Sequence, residues 1–401
     1  MSDTTPKTIL CLASYFKGER FMQEAKRLGA RVELLTVENL LDDPWPRDCI
    51  DEVHAMPELY NVADVIKGVS YLARTLTIDI IVALDDFDVE TAARLREHLR
   101  NPGMGDTTAR HFRDKLAMRV QARNCGIAVP EFIHVLNHSR LKEFTERVAP
   151  PWVLKPRSQA STIGIKKIST QDELWQALDE LADQQSFNLL EQFVAGDVYH
   201  LDSIVCERRI RFTSVQKYGA PPMSVAHEGG IFTTATLPYN SSEATALKEL
   251  NQQVIKSFGL VKGVTHTEFI RGEKDGVFYF LETAARVGGA HIAEFIEAAT
   301  GINLWTEWAR LELATPDKPY VLPKHRRVHS GMVITLSKQE QPDTSAYDDP
   351  EIWWRLSKKN HVGLIFRSKY PNRVQELLHS YVERFMRDYH ASMPVPDRAR
   401  H

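Results

Sequence analysis

The sequence predicts a mixed α/β and α+β protein: a helix-covered parallel sheet at the N-terminus, a central two-part region, and a small C-terminal α+β lid. Three observations carry this. The first hundred residues alternate short apolar strands with helical patterns. A β-loop-β-α unit follows around residues 152 to 173. Residues 263 to 286 read as two strand-like runs joined by a polar connection that ends in Asp275-Gly276.

Composition sets the limits. The chain has 401 residues, 43% hydrophobic and 26% charged, enough to bury a large core spread over two to four domains. A net charge of −3 gives no basic nucleic-acid footprint, so nucleic acid is not an expected partner. Cys11, Cys49, Cys125 and Cys206 are scattered without C-x-x-C spacing, which argues against structural zinc and a disulfide framework and fits a reducing compartment. The polar start is no signal peptide, and no window approaches 18 uninterrupted apolar residues. A cytoplasmic protein without membrane association is expected.

In chain order, Thr8 to Ala13 is a strand, Glu19 to Leu28 a helix closed by Gly29, and Arg31 to Thr36 a second strand. A helix near Val62 to Leu76 leads to a buried strand, Ile78 to Leu84. The acidic run Asp85-Asp86-Phe87-Asp88 then opens a helix to Leu99 and is assigned to the electrostatics of a helix N-terminus rather than to a metal. The first βα turn has no G-x-G-x-x-G, against a dinucleotide cradle. After the loop 101 to 105, Asp114-Lys115 starts a helix that stops at Gly126.

Strand Trp152 to Lys155, the loop Pro-Arg-Ser-Gln-Ala-Ser-Thr and strand Ile163 to Ile168 come next, and Thr170 to Glu173 forms a capping box for the following helix. Lys155 at the strand end, with Ser158, Ser161 and Thr162 in a long loop of small and hydroxyl residues, reads as a phosphate loop. In Leu189 to Asp197, Glu191 stands at the end of a buried strand and needs a partner, either a lysine or a bound nucleotide.

With the hairpin turn centred near Lys274 to Gly276, Glu268 comes out opposite Glu282. Like charges in that position call for a cation between them, and Mg²⁺ favours such oxygen ligands. Arg286 follows four residues beyond Glu282. His266 shares a strand face with Glu268, and with Lys217, His227 and His291 it is expected to gather near one carboxylate-binding pocket, as a substrate contact in preference to zinc. From Pro316, strands His329 to Leu336 and Val362 to Arg367 and a helix from Pro371 to Tyr389 form the lid. Trp353 and Trp354 are assigned to core packing, and a disordered tail is expected from Met393.

Read in order, Lys115, the Lys155 strand with its loop, the Glu191 to Gly196 turn, Glu268, and Glu282 through Arg286 resemble the ATP-grasp superfamily, the fold of carboxylate-amine ligases such as D-alanine-D-alanine ligase, biotin carboxylase and the L-amino acid ligases. The resemblance spans roughly residues 8 to 315. It implies a Rossmann-like domain over 1 to 108 and ATP-grasp subdomains over 109 to 185 and 186 to 315, followed by the lid read above over 316 to 401. It implies that Lys115 and Lys155 touch ATP phosphates, with Ser161 and Thr162 in the loop, and that Glu191, Gln192, Phe193 and Val194 hold the adenine edge. Glu268 and Glu282 would ligate Mg²⁺, with Mn²⁺ as the alternative ion, and Arg286 would steady the acyl phosphate or oxyanion. Lys217 and His266, read above from the loop and the strand face, complete the expected catalytic set.

Three departures stand out. Ala284 occupies the place where the family usually has a metal-binding Asn. The phosphate loop has one glycine, Gly164. The carboxylate that meets the ribose falls at Val198, leaving Asp197 or Asp202 as substitutes. The implied activity is ADP-forming ligation of a small-molecule carboxylate to an amine, in a chain for which a homodimer is allowed. A kinase on the same fold and a non-catalytic ATP-binding regulator are the alternatives.

Overall fold

The computed structural model describes residues 6–160 and 162–392, apart from the side chains of His227 and Glu228. Ser161, the His227 side chain and the tail from Met393 therefore lie outside the described residues. The opening strands β1 (Thr8–Ala13), β2 (Arg31–Val37), β3 (Glu52–Met56) and β4 (Ile80–Ala83) form a parallel sheet in the order β3-β2-β1-β4. All six residues of β1 are buried, as a central strand covered on both faces requires. Gly29, at φ 87°, lets the chain leave the first helix and turn into β2. The fourth strand and the helix before it are shorter than their apolar patterns, ending at Ala83 and Leu72. The sequence reading missed β3: as an edge strand it is only half-buried and carries no apolar run.

A second, antiparallel sheet contains β5 (Phe132–His134), β6 (Trp152–Pro156), β7 (Lys166–Ile168) and β8 (Asn188–Gln192), in the order β5-β8-β6-β7. The helix Gln171–Leu181 backs it and starts as the capping signature predicts. Thr170 accepts the Glu173 amide at 3.2 Å, and the Glu173 carboxylate accepts the Ser169 amide at 2.7 Å.

The third sheet is antiparallel and has nine strands: β9 (Gly196–Cys206), β10 (Arg209–Tyr218), β11 (Phe232–Thr236), β12 (Gly263–Gly272), β13 (Phe278–Ala284), β14 (His329–Ser337), β15 (Ile352–Arg355), β16 (His361–Ser368) and β17 (His390–Ala391). Its order is β13-β12-β9-β10-β11-β14-β16-β15, with β17 on β14. The segments read as 186 to 315 and 316 to 401 share this one sheet, because β14 pairs directly with β11. The C-terminal part is α+β as expected. Its helix Pro371–Asp388 lays Val374, Leu377, Tyr381 and Phe385 onto the sheet.

One hydrophobic core joins the parallel sheet to the helices Ile292–Thr300 and Leu304–Leu313. At its centre Phe21 meets Trp308 edge-on, with ring centroids 5.3 Å apart. This packing brings the end of β4 beside the chain that leaves β13. A cleft lined by strands of the second and third sheets lies between them.

Candidate active site

The hairpin of β12 and β13 has the expected register: Glu268 stands opposite Glu282 and His266 opposite Ala284. A bulge follows immediately, after which Phe269 pairs with Phe280, re-aiming the strand beside the two carboxylates. On the other side of β12, β9 sets Asp202 opposite His266 and His200 opposite Glu268. Side chains alternate along a strand, so His200, Asp202, His266 and Glu268 share one face of the sheet.

They form a buried chain of hydrogen bonds. Tyr218 Oη donates to Glu268 Oε1 at 2.8 Å, and His266 Nε2 lies 3.4 Å from the same oxygen. The two Asp202 oxygens meet His266 Nδ1 and His200 Nδ1, each at 2.9 Å, and His200 Nε2 lies 2.8 Å from Thr234 Oγ1. Burial disfavours the His266 imidazolium, but the Asp202 carboxylate outweighs it and the pKa rises to about 10. Burial likewise opposes the Asp202 charge, and the His266 charge reverses that, holding Asp202 below the usual carboxylate range. Burial lowers His200, so the carboxylate has one charged and one neutral imidazole as partners. Burial, reinforced by Glu268, raises Tyr218 and keeps it a donor.

Several expectations are corrected here. Asp202 does not meet a ribose: it is fully buried and both oxygens are committed to histidines. Lys217 pairs with Tyr199 on β9, one residue out of phase with the site face. Its ammonium donates to Asp197 at 2.7 Å and stands over the Tyr199 ring, on the opposite side of the sheet. Asp197 is thereby removed from the ribose role as well. His291 precedes the helix Ile292–Thr300 and packs against Trp354, with ring centroids 4.7 Å apart, so it does not join His266. The ligand atoms of His200, Asp202 and His266 do lie within 4.8 Å of one another. Their hydrogen bonds to each other join them into one charge relay.

The cationic end of the cleft is built by two other elements. Asp114 caps the helix Lys115–Asn124 by accepting the Leu116 amide at 2.9 Å, which places Lys115 at the helix start. Lys115 Nζ reaches the Glu282 carboxylate at 2.9 Å and donates to Gln159 O at 2.7 Å. One turn along the same helix, Arg119 approaches Glu191 at 2.5 Å, and Lys155 from β6 approaches its other oxygen at 2.5 Å. Of the alternatives for Glu191, the lysine partner is present, and the carboxylate also lines the cleft.

Two cations on one carboxylate leave a positive charge unneutralised. Burial is the main cause that lowers Lys155 to about 8, with Arg119 and Lys115 adding to it against the pull of Glu191. Glu282 remains ionised despite burial, held near 2 mainly by Lys115.

The cleft has a volume of about 330 Å³. Lys115, Lys155, Thr162, Glu191, Gln192, Phe193, Val194, Glu268 and Glu282 all line it, as does Val198 at the ribose position. Arg286 faces an adjoining recess with Arg113, His266 and Asp86. Its Nε donates to Asp86 Oδ2 at 2.7 Å and its Nη1 to Val287 O at 2.9 Å.

Sequence reasoning missed Asp86, Arg119, Tyr218 and Thr234. Arg119 lies four residues after Lys115, a helical spacing that could have found it. In the acidic run, Asp85 does cap the following turn by accepting the Phe87 amide at 3.0 Å, and Asp88 takes the Ser14 amide at 2.8 Å. Asp86 alone leaves the cluster to meet Arg286.

An ATP-grasp domain model matches residues 120–291. The chain is 24% identical over 293 residues to an L-arginine-specific L-amino acid ligase of Bacillus subtilis, covering 71% of this chain and 70% of that protein. The solved L-amino acid ligase from Bacillus licheniformis superposes with a TM-score of 0.76 at 17% identity, covering 97% of this chain and all of the other. N5-carboxyaminoimidazole synthetase from Staphylococcus aureus, complexed with ADP, superposes with a TM-score of 0.72 at 16% identity, covering 93% of this chain and 96% of the other. The domain match falls on the strands that build the cleft, so residues 120–291 match an ATP-grasp domain, and the fold is shared with these solved ligases along nearly the whole length.

Proposed function

We propose that the protein is an ATP-dependent, ADP-forming ligase that activates a small carboxylate as an acyl phosphate and joins it to an amine. The observation that carries this reading is the opposition of Glu268 and Glu282 in the same cleft as Lys115 and Lys155. Nucleotide phosphates suit the unneutralised charge around Glu191, and the segment Glu191 to Val194 along the same cleft offers an edge for the base.

The two glutamates also fit a divalent ion such as Mg²⁺, or Mn²⁺ in its place. Both carboxylates line the cleft, Glu282 is ionised, and the ammonium of Lys115 already stands against it as a cation. Such an ion would supply charge neutralisation to the β- and γ-phosphates.

In the first half-reaction a carboxylate oxygen bonds to the γ-phosphorus and ADP departs. In the second the amine bonds to the acyl carbon, inorganic phosphate departs, and the amine releases a proton. Arg286 supplies a fixed guanidinium beside the oxyanion of that second step. His266 is already an imidazolium at neutral pH, so it acts as a charged donor beside Glu268 and not as the base.

The relatives named as L-amino acid ligases make amino acids the first carboxylates and amines to test. The same relatives give no support to the kinase or regulatory alternatives. Among the described residues no helix is long and apolar enough to cross a membrane, and a cytoplasmic enzyme remains our reading. The reaction is tested with amino acids carrying heavy oxygen in the carboxylate: ADP and phosphate should form in equal amounts, with label in the phosphate. AMP with pyrophosphate, or unlabelled phosphate, would overturn the reading.

A further inference from the structure

We infer that the groove between β10 and the helix Ser242–Phe258 is a second anion site, built for a small ligand carrying several phosphates. The groove has a volume of about 610 Å³, within the usual size of small-molecule sites, and shares no lining residue with the nucleotide cleft. Arg208, Arg209, Arg211, Lys248, Lys256 and Arg327 line it, and no aspartate or glutamate does. The inference goes beyond the ligase reading and does not rest on it.

The chain as a whole has 53 acidic and 50 basic residues, so an unopposed cluster of this size runs against its composition. Among the described residues only Arg211 of these six has a carboxylate partner, Glu207 at 3.1 Å. Lys248 is half-buried, and burial together with the neighbouring Arg327 charge lowers its pKa. Arg327 stands over the Tyr239 ring, and Tyr239 Oη donates to Val328 O at 2.8 Å, so the ring is held in place under it.

Edge protection explains part of the cluster. β11 pairs with Gln216 to Tyr218 of β10 and the Leu237 amide reaches Val215 O, which leaves Arg209 to Ser214 on an open sheet edge, and positive charges on such edges discourage pairing with other chains. It does not explain the rest. Lys248 and Lys256 come from the helix Ser242–Phe258 and Arg327 from the segment before β14, yet they face the same cavity. Guanidinium forks favour phosphate oxygens, and the number of cations calls for more than one phosphate group.

The test is calorimetric. With the nucleotide cleft filled by a nonhydrolysable ATP analogue, inorganic tripolyphosphate is titrated into the full-length protein. One further site is expected, tighter for tripolyphosphate than for orthophosphate. Its affinity should fall about tenfold or more when Arg209→Ala and Arg327→Ala are combined. A control with Lys142→Ala and Lys369→Ala, exposed lysines outside the groove, should bind as the wild type does. No binding to the analogue-filled protein, unchanged affinity in the arginine variant, or an equal loss in the control would overturn the inference.

Discussion

Arg286 and Asp86 are joined by two contacts of 2.7 Å, from Nε and Nη2 of the guanidinium to a single carboxylate oxygen. The pair links the residue that leaves β13 to the acidic turn after β4, so the parallel-sheet unit sets the position of a cation in the recess beside the cleft. Arg286 and its neighbours hold Asp86 near 2 against the opposing effect of burial, and the pair stays charged throughout the neutral range.

Asp86→Asn preserves the shape and removes the charge, leaving Arg286 free to move. On the proposed role of Arg286 in the acyl-transfer step, the expected outcome is a fall of about tenfold or more in kcat, with the KM for ATP nearly unchanged. Asparagine is preferred to alanine because breaking a buried pair outright costs about 3–5 kcal/mol and would confuse activity with folding. A steady-state ADP-release assay decides; a loss confined to KM for ATP would remove Arg286 from that step.

The sequence made some of this site legible and hid the rest for identifiable reasons. The opposition of Glu268 and Glu282 could be counted because the turn between Gly272 and Gly276 sets the register of a short hairpin. Lys217 could not be placed, since one residue of phase moves a strand side chain to the other face and nothing local reveals which face is in use. Asp202 looked available for a ribose because its two histidine partners come from β9 and β12, 64 residues apart in the longer case. The Asp86 contact with Arg286 spans 200 residues and depends on two units packing together, which periodicity does not encode.

Lys155 shares Glu191 with Arg119, and its ammonium is lowered to about 8. Lys155→Ala is expected to weaken ATP binding by about 1.5–3 kcal/mol, the value of a charge-assisted contact. In the wild type, ATP affinity should fall as pH rises through about 8, because the proton leaves Lys155 there. The variant should lack that step. Calorimetry with a nonhydrolysable analogue at several pH values checks both; a pH profile identical in the two proteins would place the titrating group elsewhere.

Glu282→Gln removes one of the two opposed carboxylates and frees Lys115 from its 2.9 Å contact. A sharply higher Mg²⁺ requirement is expected with the fold intact, while Ala284→Asn, beside Glu282 on the same face, should lower the requirement by adding an oxygen ligand. Direct Mn²⁺ binding, followed by electron paramagnetic resonance, separates metal affinity from turnover. Superimposable titrations for the wild type and both variants would dismiss the metal assignment.

Asp202→Asn tests the buried relay. Because the folded-state pKa of His266 is raised to about 10, the pair contributes stability that is fully present below the ordinary imidazole value of about 6.5 and is lost as pH rises through about 10. On the acid side the depressed pKa of Asp202 preserves the interaction until well below the usual carboxylate range. In the variant, burial continues to disfavour the imidazolium with only Glu268 left to favour it, so the His266 pKa should fall well below its wild-type value. The difference in Tm between wild type and variant should therefore be large near neutrality and shrink as pH rises through about 10. The His266 ring proton in the nuclear magnetic resonance spectrum should show no titration near pH 7 in the wild type. A Tm difference independent of pH, or a wild-type His266 that titrates near neutrality, would show that Asp202 does not hold the charge.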